Sequence, residues 1–318
     1  MGTGIDVIAL GGNAIIPADG TGTIEQQREV TAETMGQVAD LILSGRKVIV
    51  THGNGPIVGN ILERNEAVRD RIPPMPLDIC GADSQGGIGY MIQQILRNQL
   101  VDRGIDRQVV SLVSQVVVDG NDDAFVKPTK PIGPFYTAGE ADRMISTKGW
   151  VMKEDAGGRG FRRVVPSPTP IEIVESPTIS DLLSRGTIVI AVGGGGIPVV
   201  KKDGHLEGVE AVIDKDRAAS VLAEKISAER LIILTNVDAV YRNWGKADQE
   251  EIREISLPEI SALYEAYEFP AGSMGPKIRA AIDFISNGGE RSVITHAESL
   301  LEACMGNAGT HIIPARGD

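Results

Sequence analysis

The sequence predicts an α/β fold, a three-layer αβα sandwich around a mainly parallel central sheet with a small inserted lid subdomain. Three observations predict it. Short apolar runs alternate with amphipathic, capped segments along the 318 residues. Three of those runs end in glycine-rich loops: VIALGGNA (7–14), VIVTHGNGP (48–56) and IVIAVGGGGIP (188–198). One stretch, 119–170, breaks the alternation with proline, glycine and charge.

The elements follow in order. Residues 5–10 form the first strand. Thr23-Ile-Glu-Gln26 is a capping box opening a helix that Gly45 closes, with Val30, Val38, Leu41 and Ile42 on one face. A strand at 47–50 follows, then a helix at 83–103 stopped by Gly104, then one strand at 109–118. Ser176-Pro177 caps a helix ended by Gly186, and 187–192 is a strand. Residues 215–227 are helical and 231–235 form a strand. Ser256-Leu-Pro-Glu259 is a second capping box. A helix at 276–286 and strands at 292–295 and 311–314 complete the order, which implies a mainly parallel sheet with helices on both faces. The odd stretch 119–170 carries Phe125, Phe135, Tyr136, Trp150 and Phe161, five of the twelve aromatics. A loop this long without structure is foreign to a compact domain, so it reads as a lid with its own small core.

Composition narrows the function. Hydrophobic residues make up 42% and charged residues 23%, as in ordinary globular proteins. A net charge of −12 argues against non-specific binding to nucleic acid or anionic membranes, which needs a basic face. No apolar run reaches the ~20 residues that span a bilayer, and the first residues lack a secretory pattern. Cys80 and Cys304 stand far apart, which fits buried thiols in a reducing cytoplasm.

Glycine after a buried strand lets backbone N–H groups approach a ligand, and a following helix adds its positive dipole end. Three such loops suggest an anion site at the carboxyl ends of the sheet, phosphate being the first candidate. Gly11-Gly12-Asn13 matches neither the dinucleotide spacing G-x-G-x-x-G nor the Walker A spacing; by itself it could equally be a tight turn. Thr51-His52-Gly53-Asn54-Gly55 repeats the glycine-plus-asparagine chemistry, and the two loops could clamp one oxyanion. His52 is a candidate base, though a buried neutral imidazole is the commoner role. Gly193–Gly196 suggests a third close approach.

The charged run Asp214-Lys215-Asp216-Arg217 could be a solvated helix face; after the third glycine loop it could also bring a lysine to a phosphoryl group, with an acid to orient it. Thr235-Asn236-Val237-Asp238-Ala239-Val240-Tyr241 follows a strand end, where a nucleoside can bind. In Gly272-Ser273-Met274-Gly275-Pro276-Lys277, proline places Lys277 in a first helical turn, where the dipole disfavours a cation unless an anion is bound.

Together these segments resemble the carbamate kinases of the amino-acid kinase superfamily, nearly end to end. The resemblance is carried by ALGGNA (9–14), THGNGPIVGN (51–60), PLDICGADSQGGIGYMIQQ (76–94), KPTKPIGPFY (127–136) and GWVMKEDAGGRGFRRVVPSPTP (149–170). It continues in AVGGGGIPV (191–199), GVEAVIDKDRAA (208–219), TNVDAVY (235–241) and FPAGSMGPKIRAA (269–281). The KPIGPFY, GWVMKEDAG and VEAVIDKD segments separate this branch from acetylglutamate, aspartate, glutamate and uridylate kinases.

The resemblance implies reversible phosphoryl transfer from carbamoyl phosphate to ADP, giving carbamate and ATP, with Mg²⁺ accompanying the nucleotide. Gly11, Gly12, Asn13, Gly53 and Asn54 would hold the carbamoyl or phosphoryl oxygens. Lys215 and Lys277 would stabilise charge on the moving group, Asp216 would position both, and Lys130 would reach in from the insert. Thr235, Val237, Asp238, Tyr241 and Met274 would line the nucleotide site. No lysine occurs between Ile5 and Glu25, where many superfamily relatives have a catalytic one, so Lys215 would supply that charge. The resemblance further implies one domain over 1–318, with an N-lobe at 1–210 for carbamoyl phosphate, the insert at 119–170 and a C-lobe at 211–318 for the nucleotide. It also implies a cytoplasmic homodimer, without nucleic-acid or membrane partners. No carboxylate cluster marks a protein-only metal site. The alternatives are a kinase for another small carboxylate, a biosynthetic maker of carbamoyl phosphate, and a nucleotide sensor without turnover.

Overall fold

The computed structural model describes residues 4–16, 22–155, 157–266, 268–269 and 274–315, and only the backbone of Asn13. Its centre is an eight-stranded sheet. From one edge the strands are Glu254–Ser256, Thr310–Ile313, Arg291–His296, Arg230–Thr235, Ile5–Leu10, Lys47–His52, Ile188–Ile190 and Val109–Ser111. The last six are mutually parallel. Thr310–Ile313 pairs antiparallel with Arg291–His296 and parallel with Glu254–Ser256, so the first two run against the rest.

Alternation along the strands makes the three layers. Val7 and Ala9 point to one face, into a core shared with Ile49, Leu231 and Ile233 and with Leu222, Ile278 and Phe284 of helices Lys215–Lys225 and Met274–Ser286. Ile8 and Leu10 point to the other, among Val48, Val50, Ile232 and side chains of helices Ile24–Leu43 and Leu77–Asp102. Both faces are therefore covered, which explains strands that read as continuous apolar runs. Thr23 and Ser256 open their helices with reciprocal capping bonds. At the helix Ser176–Ser184 the N-cap is Glu175, and Ser176 is already inside it. No helix among the described residues is long and apolar enough to cross a membrane.

Two local readings of the sequence need correction, and one helix is added to the order. The stretch 109–118 is two strands, because the chain changes sheets at Ser114. Buried Gln85 accepts from the Ser114 N–H (2.9 Å) and donates to its carbonyl (3.1 Å), satisfying the backbone at the corner. Gln115–Val118 then joins a second sheet with Ile197–Lys202, His205–Gly208 and Pro170–Ile173. The helix expected at 83–103 begins at Leu77, whose side chain and that of Cys80 are buried against the insert. A helix at Gly55–Ala67, with Pro56 in its first turn, follows the second glycine loop.

The insert is a three-stranded antiparallel sheet, Lys130–Tyr136, Phe161–Val165 and Met152–Glu154, with the helix Ala138–Lys148. It has no separate core. Its Ile132 and Val165 pack with Val58, Leu62, Leu77 and Cys80, so its apolar face is completed by the helix Gly55–Ala67. Backbones touch there: a Cβ on Gly59 would overlap Gly133. The expected aromatic mini-core is reduced to one edge-to-face pair, Tyr136 and Trp150 (6.4 Å between centroids), flanked by cation–ring contacts of Arg159 and Arg162 over Phe135 and of Lys148 and Arg163 over Trp150.

At the amino ends of the parallel strands lies a buried charge clamp. Asp6 accepts two bonds from Arg46 (2.5 and 2.9 Å) and two from Arg230 (2.7 Å each). It ties Ile5–Leu10 to both neighbouring strands at the end opposite the glycine loops. Asp6→Ala would take two bonds from each guanidinium and remove the buried charge between them, while Arg46 keeps Glu229 (3.0 Å) and Arg230 keeps the Cys304 carbonyl (3.1 Å). We expect a loss of roughly 3–5 kcal/mol of unfolding free energy, measured by urea denaturation.

Candidate active site

Four adjacent strands, Arg230–Thr235, Ile5–Leu10, Lys47–His52 and Ile188–Ile190, send their loops to the same end of the sheet. A cleft of about 480 Å³ opens there. Gly11, Gly12, Gly53, Asn54, Lys130, Lys215, Asp216, Thr235 and Lys277, all singled out from the sequence, line it. Asn13 lies in the first loop, but its side chain is outside the described residues, as are Gly272 and Ser273. Three helices, Gly55–Ala67, Lys215–Lys225 and Met274–Ser286, present first-turn residues to the cleft. Converging N-termini favour an anion.

Close approach explains Gly11 and the four-glycine run, whereas a Cβ on Gly12 or Gly55 would meet nothing within 4 Å. A Cβ on Gly11 would lie 2.6 Å from the Leu234 carbonyl oxygen of the neighbouring strand. In the four-glycine run, added Cβ atoms would overlap the His52 ring at Gly193 and the Asn54 amide at Gly194, and lie 2.6 Å from the Ile213 carbonyl at Gly195. What comes close to this run is largely the protein itself; of its four glycines only Gly194 lines the cleft. Asn54 is held by donation from its Nδ2 to Ser84 Oγ (3.1 Å).

The charged residues form one linked array. Asp216 is 2% exposed. One carboxylate oxygen accepts from Lys215 and the other from Lys277 Nζ at 2.9 Å. Burial would raise the Asp216 pKa, but the two ammonium groups outweigh it and hold the carboxyl below its usual range. Burial also works against the Lys277 cation, and Asp216 outweighs it, so this lysine is raised. Lys215 is lowered by its burial, with Lys277 adding repulsion. Lys130 reaches from the insert to Asp214, 2.8 Å away.

A second hollow of about 160 Å³ adjoins the cleft at Thr235 and Asn236. Val237, Tyr241 and Met274 line it as well. Asp238 does not; its carboxylate accepts from the Tyr241 hydroxyl (2.9 Å) and orients that ring. Trp244, 5.2 Å from Tyr241 between ring centroids, and Phe269 line the hollow and were missed. An aromatic pair three residues apart after a strand-end loop was the available signal for Trp244. Asp214 and Arg162 line the main cleft and were also missed. Asp214 could have been found as an acid immediately before a helical run, the N-cap position. Nothing in the sequence distinguishes Arg162 from its neighbour Arg163.

His52 is not placed to act as a base. It is 1% exposed, does not line the cleft, and its Nδ1 faces the Gly53 carbonyl at 2.9 Å.

The profile of the amino acid kinase family matches residues 5–296. A carbamate kinase of Pyrococcus furiosus is 49% identical, the alignment covering 97% of this chain and 98% of that one. The chain belongs to the carbamate kinases of the amino acid kinase family. Solved carbamate kinases from Giardia lamblia agree in fold. One bound to AMP-PNP is 44% identical with a TM-score of 0.91, and one bound to citric acid is 43% identical with a TM-score of 0.92, each match covering 98% of both chains.

Burial, opposed by the Gly53 bond and helped by Lys215, pushes His52 from 6.5 down to about 4. Between those values the unfolded chain binds a proton at His52 that the folded chain refuses, so stability falls as pH drops through that window. His52→Gln should reduce the wild-type loss between pH 7 and pH 4 by about 3 kcal/mol, read from urea unfolding at each pH.

Proposed function

We propose how this carbamate kinase carries out carbamoyl phosphate + ADP ⇌ carbamate + ATP, with ATP formation as its working direction. The observation that carries the reading is Asp216, which holds Lys215 and Lys277 where glycine loops and three helix N-termini meet. A β-phosphate oxygen of ADP attacks the phosphorus, the bond from phosphorus to the carbamoyl oxygen breaks, and carbamate leaves with the electron pair. Such a transfer needs positioning and charge stabilisation more than covalent help. In this reading Gly11, Gly12, Asn13, Gly53 and Asn54 bind the carbamoyl phosphate oxygens. Lys215 and Lys277 stabilise the moving phosphoryl group, and Lys130 covers it from the insert. Thr235, Val237, Tyr241 and Met274 hold the nucleoside in the adjoining hollow, with Asp238 orienting Tyr241. The working lobes are 1–210 for carbamoyl phosphate and 211–318 for the nucleotide. Carbamate decomposes readily in water, which gives the insert at 119–170 a purpose as a cover.

No cluster of three His, Cys, Asp or Glu suited to a metal occurs among the described residues, and both cleft carboxylates are engaged by lysines. This donor set fits Mg²⁺ carried on the nucleotide phosphates and keeping its waters, where it would neutralise phosphate charge. A cytoplasmic homodimer belongs to the same reading, on family likeness.

The test is ATP formation by the purified protein from carbamoyl phosphate, ADP and Mg²⁺. Lys277→Ala should lower turnover at least about a hundredfold, or about 3 kcal/mol of transition-state stabilisation. A loss below about fivefold would reject its central role. Lys130→Ala should lower turnover while ADP affinity, measured by calorimetry, stays near wild type. A wild type that binds ADP without forming ATP would point to the sensor alternative.

A further inference from the structure

We propose that Asp214 is a positioning residue for the reaction: it fixes the Lys130 ammonium of the insert to the N-terminus of the helix that carries Lys215 and Asp216. The inference rests on the carbamate kinase reading above.

Asp214 is the N-cap of Lys215–Lys225, and its two carboxylate oxygens do different work. Oδ1 accepts from the backbone N–H groups of Asp216 (3.0 Å) and Arg217 (3.3 Å). Oδ2 accepts from Lys130 Nζ at 2.8 Å, a contact that joins positions 84 residues apart. Capping alone does not demand an acid, since asparagine and serine cap a helix about as well as aspartate. The second oxygen and the negative charge serve Lys130.

That service matters because of what Lys130 is. It sits on the first residue of the insert strand Lys130–Tyr136 and lines the cleft with its side chain about one-third exposed. A lysine on a four-carbon stem has many rotamers, and ordering it at the moment of substrate binding costs free energy. Among the described residues no other carboxylate pairs with it. Held by Asp214, it meets the substrate already ordered.

The charge pattern agrees. Burial works against an Asp214 anion, and Lys130, helped by Lys215 and Lys277, outweighs it. Asp214 and Asp216 thus face three ammonium groups, leaving the array one net positive charge for an incoming phosphoryl group. A consecutive Asp-Lys-Asp therefore gathers lysines from three separate parts of the chain.

The experiment is a double-mutant cycle. Asp214→Asn keeps an oxygen for the cap and removes the charge and the second acceptor. ATP formation is measured for wild type, Asp214→Asn, Lys130→Met and the double variant, with thermal melting and ADP calorimetry on each. Asp214→Asn should melt within about 2 °C of wild type, because the cap survives. Its ADP affinity should stay within about twofold, while kcat/KM for carbamoyl phosphate falls about tenfold. In the Lys130→Met background the same change should cost less than about twofold. A purely structural cap, a role asparagine also fills, would leave kcat/KM unchanged, and a loss that acts alike in both backgrounds would separate Asp214 from Lys130. Asp214→Asn kinetics within twofold of an active wild type, or losses that multiply in the double variant, overturn this inference alone. A wild-type rate for Lys130→Met removes the role of Lys130 and the inference with it. No ATP from the wild type overturns the carbamate kinase reading as well.

Discussion

The site depends on one buried carboxylate. Two ammonium groups in a partly dry cleft repel each other, and each here lies in the first turn of a helix, whose dipole also disfavours a cation. Asp216 resolves both conflicts by taking Lys215 on one oxygen and Lys277 on the other. Without it, burial would push both lysines towards the neutral amine. With it, two cations one residue and sixty-one residues away in sequence sit side by side before any substrate arrives. A charge arrangement built in advance is what phosphoryl transfer draws on, since the protein need not reorganise as charge develops.

That array is only as well placed as the sheet beneath it. The loops that border it leave four neighbouring strands, so the register of those strands sets the distance between loops. Packing at the loops leaves little slack: Gly11 lies against the Leu234 carbonyl, and the Gly193–Gly196 run lets His52, Asn54 and Ile213 meet. Asp6, Arg46 and Arg230 clamp the same strands at their other end. One end of the sheet is thus locked by charge pairing, and at the other the helix N-termini and the lysines paired with Asp214 and Asp216 face the cleft.

The insert is coupled to this machinery through the helix Gly55–Ala67. That helix begins at Asn54, in the second glycine loop, and its other residues Val58 and Leu62 complete the apolar face of the insert. A displacement of the insert would therefore be felt at both Lys130 and the loop that carries Asn54. Contact between Gly59 and Gly133 brings the two backbones together without intervening side chains.

Much of this was legible in the sequence. Continuous apolar runs and capping boxes at Thr23 and Ser256 specify strands and helices locally, because burial and capping act over a few residues. The dipole conflict at Lys277 drew attention to a helix start that the structure places in the cleft, together with Lys215 and Asp216. Other features depend on contacts between distant residues. The strand break at Ser114 needs Gln85, twenty-nine positions away. The apolar face of the insert, Ile132 and Val165, is completed by Val58, Leu62, Leu77, Cys80 and Val212 from other parts of the chain. Asp214 was read as one charge in a run until Lys130 was seen on its second oxygen. By itself the sequence determined the fold class, most strands and helices of the central layers, and the family, since these follow from local pattern and residue type. Only the tertiary structure decided which charges pair, because pairing in a cleft is set by where the chain returns in space.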